Sequence, residues 1–253
     1  MPAAAGNDRA PAHPLQRVVG VAESELGDAL AVQLPQRSAP PPWDTRVQAV
    51  VWMHKASEQA VELLPKQLRG APTIPLTVGA FIRYLDTSVG AYGEVLASPV
   101  LLRRARLPAS VIPFIAVDSL ASIHAGRANW ALPKTLAAFE WSALPEQLGR
   151  GPLRIRSEGT HASASWSVSA TVTPRRRRVP ARFPLRDVQI DPDGRELEIP
   201  ISFAGVAQLA TVEVATAGPT LPSWLLSGRH RALVLTSARM TFGAPALGPA
   251  TPQ

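Results

Sequence analysis

The sequence predicts an α+β protein that is mainly β: a closed or nearly closed antiparallel β-barrel with a few peripheral helices. The second half of the chain is a succession of segments with strand composition, separated by turn residues. In residues 162–172, Ala, Trp and Val alternate with Ser and Thr, which is typical of a strand with one buried face. Helical patterns are few, and many strands with few helices favour a closed sheet.

Strands are predicted wherever β-branched and apolar residues form short runs bounded by turn residues. The first such run, Arg-Val-Gln-Ala-Val-Val-Trp-Met, follows the Pro-rich segment that ends the N-terminal region. The predicted strands are residues 46–53, 76–85, 111–117, 136–143, 153–157, 162–172, 197–203, 206–215 and 232–242.

Helices are predicted at two places only. Ser57 is expected to cap a short helix that runs through Leu64 and ends before Pro65. Residues 119–125 predict a helical turn that leads into a Gly-Arg pair. The sequence Asp-Pro-Asp-Gly at 191–194 predicts a turn between two strands.

The composition predicts three regions. Residues 1–42 are rich in Ala and Pro and are expected to form a variable, partly disordered N-terminal extension, of which 1–16 is a loose tail. Residues 43–245 are expected to form a single domain, because a chain of 253 residues can bury one sizeable core. Residues 246–253 are expected to form a tail.

Several classes of protein are disfavoured. No run of eighteen apolar residues predicts a membrane span, and the N-terminus lacks the apolar core of a secretory signal. The chain has no cysteine, which excludes disulfides and Cys-ligated metals, and its five histidines show no metal-ligand spacing. We therefore expect a cytoplasmic protein with no metal and no organic cofactor.

The formal net charge of +7 is a feature that nucleic-acid-binding proteins share. Basic side chains are mostly Arg and are clustered only at Arg175 to Arg178, without interleaved aromatic residues or a reader motif. This run is interpreted as a solvated loop or a subunit contact. Neither nucleic acid nor a membrane is predicted as a partner.

Lys134 is the most informative residue. The chain has three lysines, and Lys134 alone stands among apolar residues, including Trp130 and Leu132. Loss of hydration disfavours an ammonium, so an apolar setting is expected to lower the pKa of this lysine. A neutral amine can attack a carbonyl and form a Schiff base. The alternative is a lysine whose stem lies on apolar surface and whose head reaches water.

The segment around Lys134 resembles the signature of the acetoacetate decarboxylase family. In that family an Asp is followed eight residues later by Gly-Arg, and Pro-Lys comes soon after. Asp118, Gly126-Arg127 and Pro133-Lys134 keep both spacings. The resemblance extends over roughly residues 43–245 and implies that Lys134 is the Schiff-base nucleophile.

The same resemblance implies roles for other residues. Arg46 stands where the family has a functional arginine, and Glu94 matches its functional glutamate. Arg46 is expected to orient a carboxylate and, near Glu94, to offset the effect of that carboxylate on Lys134. Glu94 is expected to shuttle protons. The expected pocket residues are Trp130, Leu132 and His124, and the expected structural residues are Gly126, Arg127, Asp118 and Pro133, with Arg127 paired to a carboxylate such as Asp118.

Two positions depart from the family pattern. Ala128 replaces an acidic residue that commonly follows the Gly-Arg pair, and Thr135 replaces a second lysine that many members carry after the nucleophile. A neighbouring cation is one way to activate a lysine, and burial is another. With Thr135 in place of the second lysine, burial remains as the way to activate Lys134.

The leading hypothesis is a cofactor-independent lyase that decarboxylates a β-keto acid through Lys134 and assembles as a homo-oligomer. The first alternative is a Schiff-base aldolase or dehydratase acting on an oxo acid, since the same imine serves these reactions. The second is a barrel that binds a small ligand without turnover.

Overall fold

The computed structural model describes residues 13–161 and 164–248. Strands dominate the described part of the chain. The strands are β1 Trp43–Lys55, β2 Thr73–Ile74, β3 Leu76–Asp86, β4 Tyr92–Ser98, β5 Leu101–Leu102, β6 Ala109–Ser110, β7 Phe114–Val117, β8 Lys134–Leu136, β9 Ala138–Trp141, β10 Leu153–His161, β11 Ala164–Ile190, β12 Glu196–Ala217, β13 Gly228–Phe242 and β14 Ala246–Leu247.

Helical segments are short. The described residues contain two α-helices, α1 Asp28–Ala31 and α2 Leu120–Trp130, and 3₁₀ turns at Pro14–Arg17, Ala22–Ser24, Glu58–Leu63, Lys66–Leu68, Pro145–Gln147 and Leu221–Ser223. The segment predicted after Ser57 is a 3₁₀ helix, and the Ser57 hydroxyl donates to Ser223 O (3.0 Å) instead of capping it. None of the described helices has the length and apolarity needed to cross a membrane.

The strands form one bent sheet that does not close. Its hydrogen-bonded order is β2-β5-β6-β11-β12-β13-β1-β3-β4-β7-β8, and β10 pairs with both β11 and β9. Only residue 137 separates β8 from β9 along the chain. These two strands are not hydrogen-bonded to each other in the described sheet. The closed form of the predicted barrel is therefore not confirmed. Two pairings, β6 with β11 and β7 with β8, are parallel.

Most predicted strands are confirmed, but several differ in extent: the strand predicted at 136–143 is two strands, β8 and β9, and the strand predicted at 162–172 extends to Ile190. Residues 162–163 of that prediction lie outside the described residues. The two strands predicted between 197 and 215 are one strand, β12, whose pairing with β13 shifts register between Val206 and Ala207. The Arg175 to Arg178 run is exposed as predicted, but it lies within β11, at a register shift between Pro174 and Arg178, and not in a loop. The register shift follows Pro174, whose nitrogen cannot donate to the ladder, whereas Pro180 and Pro184 stay in the regular register with β12.

Alternate residues of β1 and β3 pack into two different cores. Val50, Trp52 and Phe81 belong to a large core that also contains Trp166 and Trp224. Ala49, Ala80 and Ile82 belong to a second cluster on the opposite face. Successive side chains of a strand point to opposite faces, so the central strands separate these two cores.

The N-terminal extension packs against the domain from residue 13 onward. Val18, Val21 and Leu26 are buried, and the buried Glu23 carboxylate accepts hydrogen bonds from Thr220 N (2.6 Å) and Thr220 Oγ1 (2.6 Å). Of the loose tail predicted at residues 1–16, residues 1–12 lie outside the described residues. At the other end, Ala246–Leu247 pairs with β12, and the rest of the predicted tail is described only to residue 248.

Candidate active site

Lys134 is delivered by the segment that leaves α2. The Ser119 side chain caps the helix by accepting from Ser122 N (3.2 Å), and Ala131 ends it in a left-handed conformation (φ 52°). Leu132 N then donates to Gly126 O (3.1 Å), which turns the chain so that β8 starts at Lys134. The lysine is folded back toward the helix that precedes it.

Gly126 provides the space for the lysine stem. A Cβ atom at this position would stand 2.5 Å from Lys134 Cδ and 2.9 Å from Lys134 Cε. Only glycine allows the aliphatic stem to lie this close to the helix. The structural role predicted for Gly126 therefore has a specific cause, which is contact with the lysine itself.

The Lys134 amine is buried and hydrogen-bonded. Nζ donates to Glu94 Oε2 (2.8 Å), Ser122 Oγ (3.0 Å) and Tyr92 OH (3.4 Å). The side chains of Lys134 and Glu94 are 5% and 1% exposed. An ammonium has three donors, and each of them has an acceptor here. The alternative interpretation, in which the head of Lys134 reaches water, is therefore wrong.

Glu94 is held by the pairing of β3 with β4. Tyr84 stands opposite Tyr92 in the register, and the two rings stack with centroids 4.3 Å apart. The Tyr84 hydroxyl donates to Glu94 Oε1 (3.1 Å), which leaves Oε2 for the lysine. The exposed Asp118 accepts from Gly93 N (2.7 Å) and so fixes the backbone next to Glu94.

The carboxylate reverses the expected shift of the lysine pKa. Burial alone lowers the pKa of Lys134, but the charge of Glu94 and the hydrogen bonds to Glu94 and Tyr92 outweigh burial and raise it above its usual value. The expectation of a lowered pKa relied on burial, with Arg46 offsetting the carboxylate, and it is wrong for the resting site because Glu94 outweighs burial. Burial likewise raises the pKa of Tyr92 to about 12, although the charge of Lys134 opposes this shift.

Lys134 and Glu94 lie on the wall of a cavity of about 420 Å³. The cavity is lined mainly by aliphatic and aromatic side chains of β1, β3, β4 and β13. We call the part that contains Tyr92, Glu94 and Lys134, all buried, the closed end. The lining residues that are exposed are Pro108, Pro184 and Leu185, which mark the mouth.

Two of the three predicted pocket residues line this cavity. Trp130 and Leu132 are buried lining residues, and the Trp130 indole is fixed by donating to Gly243 O (2.9 Å). Pro133 is buried between them and β8, where it packs near Gly20. The prediction for His124 is wrong: it lies on α2 away from the cavity lining, and its Nδ1 is buried without a partner in the described part of the chain.

Arg46 does not join the site. Its side chain is 63% exposed and lies 3.8 Å from Asp86 Oδ2, whereas its neighbour Val47 lines the cavity. Adjacent strand residues face opposite sides, so Arg46 points away from the closed end. The predicted proximity of Arg46 and Glu94 is not observed, and Arg46 does not offset the effect of that carboxylate.

Arg127 is structural, but it has other partners than predicted. Within the described ranges its guanidinium donates to backbone carbonyls, at Lys134 O (2.6 Å), Leu15 O (2.9 Å), Val18 O (3.1 Å) and Ser24 O (2.6 Å). Burial lowers its pKa to about 10. The predicted pairing with Asp118 is wrong. Arg127 instead joins the N-terminal extension to the lysine segment.

Thr135 faces away from the cavity. Its hydroxyl donates to Glu25 O (3.3 Å), and it is not among the lining residues. Because successive strand residues point to opposite faces, a lysine at position 135 of this chain would also point away from the closed end. The missing second lysine therefore does not change which groups face the cavity.

Sequence reasoning missed Tyr84, Tyr92 and Ser122, which complete the site. Tyr92 could have been found, because it stands two positions before Glu94 and strand residues two apart share a face. Ser122 stands one helical turn before Gly126, on the same face of α2. Tyr84 carries no local signal, since its role depends on the pairing of β3 with β4.

The fold and the site together define a mainly β protein with a buried, carboxylate-paired lysine at the closed end of an apolar cavity. A family model described as acetoacetate decarboxylase matches residues 30–186. The chain belongs to the acetoacetate decarboxylase family.

Solved structures share the fold at low sequence identity. The acetoacetate decarboxylase of Legionella pneumophila aligns with a TM-score of 0.60 and 14% identity, covering 83% of this chain and 88% of that chain. A second acetoacetate decarboxylase structure gives 0.61 and 13%, covering 88% and 98%. An acetoacetate decarboxylase-like enzyme from Sphingomonas wittichii RW1 gives 0.55 and 12%, covering 83% and 94%. No curated protein sequence matches the chain.

Proposed function

We propose that this protein is a Schiff-base lyase that decarboxylates a β-keto acid through Lys134. The observation that carries the proposal is the pairing of Lys134 Nζ with Glu94 Oε2 (2.8 Å) at the closed end of an apolar cavity. A lysine in this position has a proton acceptor in direct contact and an enclosed space in which a carbonyl compound fits. Membership of the acetoacetate decarboxylase family supports the same chemistry.

Glu94 serves as the proton carrier in this proposal. The resting lysine is an ammonium, so Glu94 first takes one proton from Nζ and frees the amine to attack the ketone. Glu94 passes this proton to the ketone oxygen and, after the nitrogen has attacked, carries a second proton from the nitrogen to the same oxygen, which leaves as water and gives a protonated imine. The step balances without a proton from solvent. Ser122 and Tyr92 keep Nζ in place throughout.

The apolar surroundings favour the loss of CO₂. In the imine intermediate a cationic nitrogen stands near the substrate carboxylate, and the carbon–carbon bond that breaks sends its electron pair to that nitrogen. Two opposite charges become a neutral enamine and neutral CO₂. A cavity of low polarity solvates separated charges poorly, so it favours a step in which they disappear. Protonation of the enamine and hydrolysis then release the ketone and restore Lys134.

Borohydride trapping tests the proposal. The protein is incubated with acetoacetate, reduced, and digested, and the adduct is located by peptide mass spectrometry while CO₂ release is followed in parallel. We expect a reduced adduct on Lys134 and CO₂ release, and we expect Lys134→Ala to lose both. The exposed Lys55 and Lys66 are internal references, and Lys66→Ala is the matched control variant.

The products separate the alternatives. An adduct on Lys134 without CO₂ release, but with carbon–carbon bond formation from pyruvate and an aldehyde, would replace the decarboxylase with an aldolase or dehydratase. The absence of any adduct across a panel of oxo acids would contradict Schiff-base chemistry and leave a ligand-binding protein.

A further inference from the structure

The cavity has a direction that follows from the strand register. On β4, Glu94, Leu96 and Ser98 face the cavity, and they stand opposite Ile82, Ala80 and Val78 on β3. The alternation continues onto β1 and β13. From Glu94 to Ser98 the strand advances about 13 Å. The cavity is therefore a channel with an apolar floor, and it runs from the closed end along β4.

Exposure increases along this channel on β1 and β3, from the buried Ala49 and Ile82 to the partly exposed Met53 and Val78, whereas Ser98 on β4 is buried. Glu94 and its partner Ile82 are buried, whereas Leu96 and Val78 further along are partly exposed. The mouth, at Pro108, Pro184 and Leu185, lies near the Ser98 end, because Val111 N donates to Ser98 Oγ (3.1 Å) and Ser110 pairs with Asp187 of β11. A substrate therefore enters from the far side, and its reacting carbonyl must travel the length of the channel to reach Lys134.

The polar groups near the mouth are already partnered. Asp187 accepts from Ser110 Oγ (3.0 Å) and from Gln189 Nε2 (3.0 Å). Arg186, the other cation of the lining, donates to Glu198 Oε2 (2.8 Å). A polar tail would compete with these bonds, whereas an apolar tail would leave them intact and cover the aliphatic floor.

We propose that the substrate is a β-keto acid whose ketone carries a long apolar chain, which binds with its keto-acid group at Lys134 and its chain along the channel toward the mouth. This inference rests on the proposed function of Lys134. Acetoacetate, with a methyl group in place of the chain, leaves the floor between Glu94 and Ser98 uncovered. A chain of several carbons removes that apolar surface from water.

The effect of chain length has a calculable size. Each methylene group transferred from water to an apolar site favours binding by a factor of about four. We expect kcat/KM to rise by about this factor per methylene through β-ketohexanoate and β-ketooctanoate. The rise should stop when the chain reaches the mouth, because further methylenes stay in water.

The experiment compares this series in the wild type and in channel variants. Ala80 is buried on the channel floor opposite Leu96, so Ala80→Leu shortens the space available for the chain. We expect the ratio of kcat/KM for β-ketooctanoate to that for acetoacetate to fall about tenfold or more. Ala80→Val is the milder variant, should the larger change prevent folding, and Ala204→Leu on the exposed face of β12 is the matched control.

Binding of saturated fatty acids separates this inference from the proposed function. Butyrate, hexanoate and octanoate are titrated calorimetrically against the same proteins. Tighter binding of octanoate that Ala80→Leu abolishes, without turnover of any β-keto acid, would support an apolar-chain ligand and contradict the lyase. Turnover of acetoacetate without any gain from longer chains would support the lyase and overturn the inference. Neither turnover nor a chain-length effect would overturn both.

Discussion

The two faces of strands β1 and β3 are packed differently: one belongs to the large core, and the other lines the cavity. On one face Trp52 lies across Gly79, its direct partner in the register, and the space is filled. On the other face the small side chains of Ala49 and Ala80 leave the floor of an open channel. The first face is closely packed, whereas the second leaves part of its apolar surface uncovered as the wall of the cavity.

Both faces use glycine to admit a large side chain. A Cβ at Gly79 would stand 2.3 Å from Trp52 Cζ2, and a Cβ at Gly126 would stand 2.5 Å from Lys134 Cδ. The first contact is with a rigid ring in the core, and the second is with the flexible stem of the reactive lysine. The same substitution should therefore damage stability at one site and activity at the other.

The largest effect on activity is expected at Glu94, in the closed end of the cavity. Glu94→Gln removes the proton carrier, and kcat/KM should fall about a thousandfold. The same change removes the charge that raises the pKa of Lys134, so burial should prevail and the pKa should fall. The amine should then become reactive at lower pH than in the wild type.

Labelling of the lysines measures this shift. Reductive methylation with formaldehyde and cyanoborohydride is followed by peptide mass spectrometry across a pH series, with the exposed Lys55 and Lys66 as references in the same molecule. We expect the pH midpoint for Lys134 to move downward in Glu94→Gln. An unchanged or higher midpoint would contradict the assignment of Glu94 as the group that retains the proton on Lys134.

The second effect is on the filled face. Gly79→Ala pushes a methyl group into the Trp52 ring, which is fully buried, and should lower the free energy of unfolding by about 3 kcal/mol. Urea denaturation measures the difference. Gly70→Ala is the control, because a Cβ there has no neighbour within 4 Å among the described residues. Equal stability of the two variants would show that the ring moves aside freely.

The third prediction compares Gly126→Ala with Gly79→Ala. Gly126→Ala should shift the lysine stem and move Nζ away from Glu94, lowering kcat/KM about a hundredfold. The free energy of unfolding should stay equal or rise by up to about 1 kcal/mol, because alanine favours a helix more than glycine does. Parallel urea and kinetic measurements check both parts. A loss of stability like that of Gly79→Ala would argue that the contact with Lys134 is structural only.

Elements with a strong local pattern could be predicted from the sequence. The β-branched runs of β1, β3 and β13 and the helical turn before Gly126 were all recognisable, because alternation and capping are local properties. Tyr92–Ser98 was missed as a strand. It is buried on both faces, so it lacks the alternation that marks a half-buried strand. The strand that carries Glu94 is therefore absent from the predicted strands.

Long-range properties could not be predicted in the same way. The side Arg46 faces depends on irregular pairing of β1 with both neighbours, where the register shifts near Val47. A shift of one residue exchanges the two faces of a strand, and nothing near Arg46 in the sequence signals it. The open edge between β8 and β9 likewise depends on long-range pairing, since β8 pairs with β7 and β9 pairs with β10.

The sequence by itself singled out Lys134, the glycine that makes room for it and the family to which the chain belongs, since these rest on short spacings around residues 118–134. Only the tertiary structure decided which groups meet the amine. Glu94 and Tyr92 lie 40 and 42 residues from Lys134 and reach it through strand pairing. The pKa of the lysine depends on distances of a few ångströms to such groups. For this reason apolar neighbours in the sequence predicted the wrong sign of its shift.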